Sequence, residues 1–213
     1  MKTQPALIWD LDGTLIDSYQ MIVPSLRLFY AQRGLELTDT EIREAVLRTS
    51  VRDFSERILA QTGISLEAEK AAYLRIRSDM ERELRPMPGA VQTLRALTGR
   101  GVRHFLFTHR GASTEELLRR LGMADCFVCV LTAQSGFPRK PDPAGICYLM
   151  VRYDLVPDRT WYVGDRQMDM DCARAAGIGG VLLRLPDSPD FPLPPKVTVV
   201  GSLPELLTLP LTE

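Results

Sequence analysis

The segment Asp10-Leu11-Asp12-Gly13-Thr14-Leu15 sets two carboxylates two residues apart, directly after the apolar run Ala6–Trp9. Acids that close repel unless a cation lies between them, and Gly13 lets the chain leave the run sharply. The same residues also read as an Asp-Gly turn behind a solvated acid. A second acid pair, Asp165 and Asp169, stands in Val163-Gly164-Asp165-Arg166-Gln167-Met168-Asp169. That spacing puts both on one helix face. Asp165 alone reads equally as a helix N-cap, which leaves the second pair of acids unexplained; Asp171 reads as surface. In Phe107-Thr108-His109-Arg110, the Thr108 hydroxyl and backbone N–H groups at a helix start would cradle a phosphate, or Thr108 simply caps the helix. Lys140 lies in Arg139-Lys140-Pro141-Asp142-Pro143, where prolines hold the chain at a helix entry. Only four of the 26 basic residues are lysines. A lysine at an ordered turn therefore hints that a compact ammonium is wanted, against the alternative of an ordinary exposed side chain.

These residues need a scaffold that brings them together. Short apolar runs rich in β-branched and aromatic residues fall at Ala6–Trp9, 103–107, 127–131, 160–163, 180–183 and 197–200. Each reads as a strand covered on both faces. Amphipathic helical patterns lie between them near 89–99, 112–122, 142–153, 167–177 and 203–208. The fold expected is α/β, a doubly wound parallel sheet with right-handed crossovers. In such a sheet ligands sit beyond the carboxyl ends of the strands, which places Asp10, Asp12 and Asp165 at the crevice. From residue 16 to 86 the alternation stops, and helices are predicted at 18–33, 40–47, 52–61 and 66–83, closed by Pro86, Pro88 and Gly89. This interval reads as an inserted helical domain whose two linkers lie side by side. The stretch 186–195 carries five prolines and reads as an extended surface connection.

Composition excludes several function classes. With 213 residues, 45% hydrophobic and 25% charged, the chain has the profile of a globular protein. A balance of 26 basic to 27 acidic residues gives no electrostatic case for nucleic acid or an anionic membrane. No apolar run reaches the roughly 18 residues of a membrane span. The N-terminal apolar stretch meets charge at Asp10, too early for a secretory signal. Four cysteines then read as reduced thiols, and the expected location is cytoplasmic. Cys126 and Cys129 have metal-like spacing, yet Cys147 and Cys172 supply no second half-site, so all four read as buried thiols rather than zinc ligands. His104, Trp9 and Trp161 read as packed in strands, and Leu74, Arg77 and Glu81 as a solvated helix face.

Taken together, an acid pair, a hydroxyl, a lysine and a second acid pair, each after a β-like run, strongly resemble the haloacid dehalogenase superfamily of phosphohydrolases. Asp10 and Asp12 match its DxDGT motif, Thr108 its Ser/Thr motif, Lys140 its lysine, and Asp165 with Asp169 its GDxxxD motif. The inserted helices look like the superfamily's four-helix cap (subfamily IA), so the resemblance implies a Rossmann-like core at 1–15 and 87–213 and a cap at 16–86. Within the superfamily, DLDGTLIDS, the THR triplet, RKPDP and GDRxxDxxxAxxAG look most like the phosphoglycolate phosphatase group.

The resemblance implies an aspartyl-phosphate mechanism. Asp10 would attack phosphorus, and Asp12 would protonate the leaving alkoxide and then deprotonate the hydrolytic water. Mg²⁺ would be held by Asp10, the backbone carbonyl of Asp12, Asp165 and Asp169, the last directly or through water. Thr108 and Lys140 would hold the phosphoryl oxygens. The cap would act as a lid, with Arg48 and Arg52 in the loop 48–52 as candidate substrate contacts. His109 and Arg110 are candidates for the anionic end of the leaving group. The expected partner is a small-molecule phosphoester, with monomer and homodimer both open. A phosphosugar mutase resembling β-phosphoglucomutase and a nucleotide or pyrophosphate phosphatase are rival readings, Thr14 leaning towards phosphatase. A receiver-like phospho-acceptor module is disfavoured by the helical insert and by the adjacent acid, Asp12.

Overall fold

The apolar runs become six strands: β1 (Ala6–Trp9), β2 (Arg103–Phe107), β3 (Phe127–Leu131), β4 (Thr160–Gly164), β5 (Gly179–Leu183) and β6 (Val197–Val200). This computed structural model describes residues 4–60 and 65–210. Every strand pairing is parallel and the order is β3-β2-β1-β4-β5-β6. Strand order reverses at β1, which lies between β2 and β4, the switch point at which such sheets open a crevice. Trp9 is in register with Leu106 on one side and Val163 on the other, so β1, β2 and β4 end nearly level. The ladder runs one residue further: the Asp10 N–H donates to Val163 O at 2.8 Å, and the Thr108 N–H to Leu131 O at 3.0 Å.

β1 is wholly buried, as are β5 and all of β4 but Trp161; the edge strands differ from the expectation of cover on both faces. Val128 on β3 is 49% exposed and Val199 on β6 is 41% exposed. These strands have a neighbour on one side only and stand at the margin of the covering layers. Trp161, expected in the core, is half-buried and lies against Gly179, where a side chain would collide with its indole. Of the cysteines, all free, only Cys172 is buried; Cys126 and Cys129 are half-buried and Cys147 is exposed. Cys129 sits on the edge strand and Cys126 in the 3₁₀ turn Ala124–Cys126 just before it.

Four helices accompany the sheet: α5 (Ala90–Gly99), α6 (Thr114–Arg120), α7 (Ala144–Tyr153) and α8 (Gln167–Ala175). One face of the sheet packs Ile8, Phe105, Phe107 and Tyr162 against Ile146, Leu149 and Cys172 of α7 and α8. A Cβ at Gly145 would lie 2.7 Å from the Phe107 ring, so α7 can sit this close only with glycine there. The expected helix at 203–208 is a 3₁₀ turn, Leu203–Thr208, with Pro204 near its start and Leu203 and Leu206 buried. Trp9 Nε1 donates to His104 Nδ1 at 3.0 Å, joining β1 to β2 through buried side chains.

The interval between β1 and β2 holds, among the described residues, α1 (Tyr19–Ala31), α2 (Asp39–Arg48), α3 (Val51–Ala60) and α4 (Leu66–Glu81) before α5. The predicted end of the third helix, Gln61, lies outside the described residues. α1 packs against α2 and α4. Phe29, Tyr30, Phe54 and Tyr73 meet edge to face at its centre, an arrangement favoured by the ring quadrupoles. Thr38 caps α2: its Oγ1 accepts the Glu41 N–H at 3.2 Å while Glu41 Oε2 accepts the Thr38 N–H at 2.8 Å. By contacts the chain divides into two units, Asp17–Arg85 and the segments on either side of it. At the boundary Ile16 forms an antiparallel bridge with Pro86. No described helix is long and apolar enough to cross a membrane.

Candidate active site

Asp10 is the first residue beyond β1, and the chain then folds back on itself. Leu15 and Ile16 N–H groups donate to Leu11 O at 2.9 and 3.0 Å, and the Gly13 N–H donates to Ile16 O at 2.9 Å. Gly13 has φ +82°, a conformation costly for any residue with a Cβ. The tight loop keeps Asp10 buried, at 1% exposure, and sends the Thr14 Oγ1 hydrogen to Asp165 Oδ1 at 2.9 Å.

Asp165 follows β4 and Asp169 lies in the first turn of α8. Ligand oxygens of Asp10, Asp165 and Asp169 all lie within 4.8 Å of one another, and all three residues are buried. The sequence left open whether Asp165 caps the helix. It does not: the cap residue is Arg166, and Asp169 Oδ2 accepts its N–H at 3.1 Å. Gly164 makes room for this, since a Cβ there would lie 2.5 Å from the Asp169 side chain.

Lys140 enters from the irregular segment before α7, at a cis Lys140–Pro141 bond. It is not the exposed lysine of the alternative reading. Its ammonium donates to Asp169 Oδ1 at 2.7 Å and to the Tyr162 hydroxyl at 3.0 Å, and lies 2.9 Å from Asp10 Oδ1. Asp10 and Asp169 thus share one fully buried ammonium, and the partly buried Arg166 guanidinium stands beside the cluster, its Nη2 3.9 Å from Asp10 Oδ2. Burial pushes the Asp10 carboxyl up against the pull of Lys140. Burial likewise lifts Asp165 to about 7, Arg166 opposing and Asp169 and Asp10 reinforcing. For Lys140, burial works against the ammonium, but Asp10 and Asp169 together outweigh it and hold the group above its ordinary value. Asp10 Oδ2 is buried and accepts no hydrogen bond. A buried, all-oxygen set with acid in excess and an unsatisfied oxygen fits a hard cation such as Mg²⁺.

Asp12 is less buried and turned differently. Its Oδ1 accepts from Arg110 Nη1 at 2.8 Å, and its carboxylate is not among the three clustered acids. Thr108 is buried, and its Oγ1 accepts the Arg110 N–H at 3.1 Å. The expected helix start at Thr108 is not there; α6 begins only at Thr114, so Thr108 caps no helix and stands in the loop after β2. His109 Nε2 accepts the Lys140 backbone N–H at 2.8 Å. Burial and the cations Lys140, Arg139 and Arg166 depress its basicity to about 2, so the ring is neutral.

Arg48 and Arg52 belong to the helical unit. Arg48 ends α2, Arg52 is in the first turn of α3, and both are exposed. The expected five-residue loop is only the link Thr49-Ser50, because helix runs up to both sides of it. Its hydroxyls are used internally: Thr49 Oγ1 donates to Ala45 O at 2.9 Å, and Ser50 Oγ accepts the Asp53 N–H at 3.0 Å. Arg52 Nε donates to Glu56 Oε1 at 2.7 Å. Sequence reasoning passes over Tyr162 and Arg166. The signal for Tyr162 is a phenol in a strand that must be buried, where its hydroxyl needs a partner.

A sequence model of haloacid dehalogenase-like hydrolases matches residues 7–182. The chain belongs to this family. It is an enzyme, a phosphatase, and is similar in sequence to a phosphoglycolate phosphatase of Agrobacterium fabrum, 30% identical over 204 residues, covering 92% of this chain and 88% of that one. A haloacid dehalogenase family hydrolase of Deinococcus radiodurans, solved with bound phosphate and sodium, is 26% identical with TM-score 0.74, covering 95% of this chain and 93% of the other. CbbY of Rhodobacter sphaeroides, solved with phosphate, shares the fold at TM-score 0.79 and 18% identity over 96% of both chains.

Proposed function

We propose that this phosphatase is a Mg²⁺-dependent phosphomonoester hydrolase of the cytoplasm that works through an aspartyl-phosphate on Asp10. Its substrate is a small phosphorylated metabolite, phosphoglycolate being the first choice. The observation that carries the reading is the buried cluster of Asp10, Asp165 and Asp169 with the Lys140 ammonium against Asp10 and one Asp10 oxygen left without a hydrogen bond. The curated relatives named phosphoglycolate phosphatase support the substrate class.

Asp10, Asp165, Asp169 and the Asp12 backbone carbonyl would hold Mg²⁺, which when bound offsets the charge of the phosphoryl group and of the acids around it. The Asp10 carboxylate attacks phosphorus, a P–O bond to Asp10 forms, and the bond to the ester oxygen breaks. The departing alkoxide takes its proton from the Asp12 carboxyl. Water then attacks phosphorus, gives its proton to the Asp12 carboxylate, and releases Asp10 and inorganic phosphate. Lys140 and Thr108 hold the phosphoryl oxygens, and the Lys140 charge restrains Asp10. Arg110, bonded to Asp12, keeps that acid in place beside the leaving group.

Asp10→Asn keeps the shape of the side chain and removes the nucleophile. Turnover of a panel of phosphoglycolate, sugar phosphates and nucleotides should then vanish in the presence of Mg²⁺, with the cooperative unfolding transition retained. Free phosphate released by the folded variant at the parent rate would refute the assignment. Phosphate release by the parent only in the presence of a sugar bisphosphate would identify a mutase instead.

A further inference from the structure

Lys140 must hold a point charge to a fraction of an ångström, yet it stands in an irregular segment between β3 and α7. Two side chains hold it, one from the loop after β2 and one from β4. At the backbone, His109 Nε2 accepts the Lys140 N–H at 2.8 Å. The ring itself stands edge-on to Phe107, with centroids 6.4 Å apart and planes at 88°. At the far end, the Tyr162 hydroxyl gives its one hydrogen to Phe107 O at 2.8 Å and so turns a lone pair to Lys140 Nζ at 3.0 Å. An ammonium has three hydrogens. Here they are directed to Asp10, Asp169 and Tyr162, which fixes its orientation as well as its position.

We propose that His109 and Tyr162 are positioning residues that set the Lys140 ammonium beside Asp10, His109 by gripping the loop backbone and Tyr162 by fixing the third N–H. The inference rests on the reading of Lys140 as the cation that works on the phosphoryl group. It also reassigns His109 from substrate contact to loop clamp. The neutral state of the ring leaves its Nε2 lone pair available for the Lys140 N–H, and protonation would abolish the clamp. Both clamps refer back to the end of β2, where Thr108 also begins, so the hydroxyl and the ammonium share one reference point.

The test measures kcat and KM for p-nitrophenyl phosphate with Mg²⁺, alongside thermal unfolding, for Lys140→Ala, Tyr162→Phe, His109→Leu and His109→Gln. Displacements near 1 Å cost about a hundredfold in rate. Tyr162→Phe and His109→Leu should therefore lower kcat by about tenfold to a hundredfold, with a smaller change in KM and an intact unfolding transition. Glutamine offers a carbonyl oxygen near the place of Nε2, and His109→Gln should recover most of the loss. If Lys140→Ala is inactive while Tyr162→Phe and His109→Leu turn over at the parental kcat, the positioning roles are wrong and the role of Lys140 stands. If His109→Gln is as slow as His109→Leu, the clamp at His109 is refuted. If Lys140→Ala keeps the parental kcat, the reading of Lys140 itself fails, and the clamps with it.

Discussion

Thr14 lies one residue past the Asp-x-Asp-Gly turn, and its fully buried hydroxyl has a single purpose in the site: it donates to Asp165 Oδ1 at 2.9 Å. Asp165 needs such support, because burial disfavours its charge and lifts its pKa to about 7. A hydrogen bond donated to the carboxylate offsets part of that cost and fixes which oxygen faces the cluster. Thr14→Val keeps the volume and deletes the donor. Outer-shell losses of this kind typically weaken metal binding by about ten- to a hundredfold. The Mg²⁺ concentration for half-maximal activity should rise accordingly, while kcat at saturating Mg²⁺ falls less. An unchanged Mg²⁺ titration would mean that Asp165 holds its place without Thr14. Glycine sets the second acid in the same spirit: only the missing side chain at Gly164 lets Asp169 fold back against the β4 end, where it both anchors Lys140 and accepts the N–H of Arg166, the cap residue of α8.

Element by element, strands were the more readable half of the chain. Each is a short apolar run whose neighbours fix its register, so composition alone locates it, and β2 and β3 start and end where the runs do. Helix ends were less readable because capping decides them. Thr38 is a clear case where it can be read, since Thr and Glu three residues on satisfy each other's backbone donors. Thr38→Ala should cost about 1 kcal/mol, seen as lower amide-exchange protection in α2 with phosphatase turnover unaffected at low temperature. Equal protection in both proteins would show that packing against α1, not the cap, decides that end. The turn at Leu203–Thr208 marks the opposite limit: its apolar spacing is helical, but it is too short and proline-bearing to become an α-helix. Thr108 carries the same lesson for the site. Its identity was legible, whereas its setting in a loop six residues ahead of α6 follows from where the helix can start and not from any local motif.

At the scale of the whole molecule, the site was legible as a set of motifs because each motif is local: Asp10, Thr108 and Asp165 each sit just past a run that must be a strand, and Lys140 stands at a proline-held helix entry. The clamps on Lys140 were not, since His109 and Tyr162 reach it across 31 and 22 residues of chain and meet only through the sheet register. The same holds for His104, which reads as plain core yet joins β1 to β2 by accepting the Trp9 indole N–H on Nδ1. Acceptance requires that nitrogen to be unprotonated, and burial holds the group down at about 4, a backbone carbonyl at Leu94 opposing only in part. In the unfolded chain an exposed histidine titrates near 6.5. Between these values the unfolded state binds the proton and the folded state does not, so stability is complete above pH 6.5, declines as pH falls towards 4, and levels off below. The gap corresponds to about 3 kcal/mol. His104→Asn keeps an acceptor near the Nδ1 position and cannot titrate. It should be less stable than the parent near neutrality, from lost packing, but should lose less stability on moving to about pH 4.5. Urea unfolding of both proteins at the two pH values measures this directly, because every other titrating group is common to both and cancels in the difference. Parallel declines in parent and variant would mean that the imidazole is charged inside the fold, and that the Trp9 contact is not what ties the two central strands together.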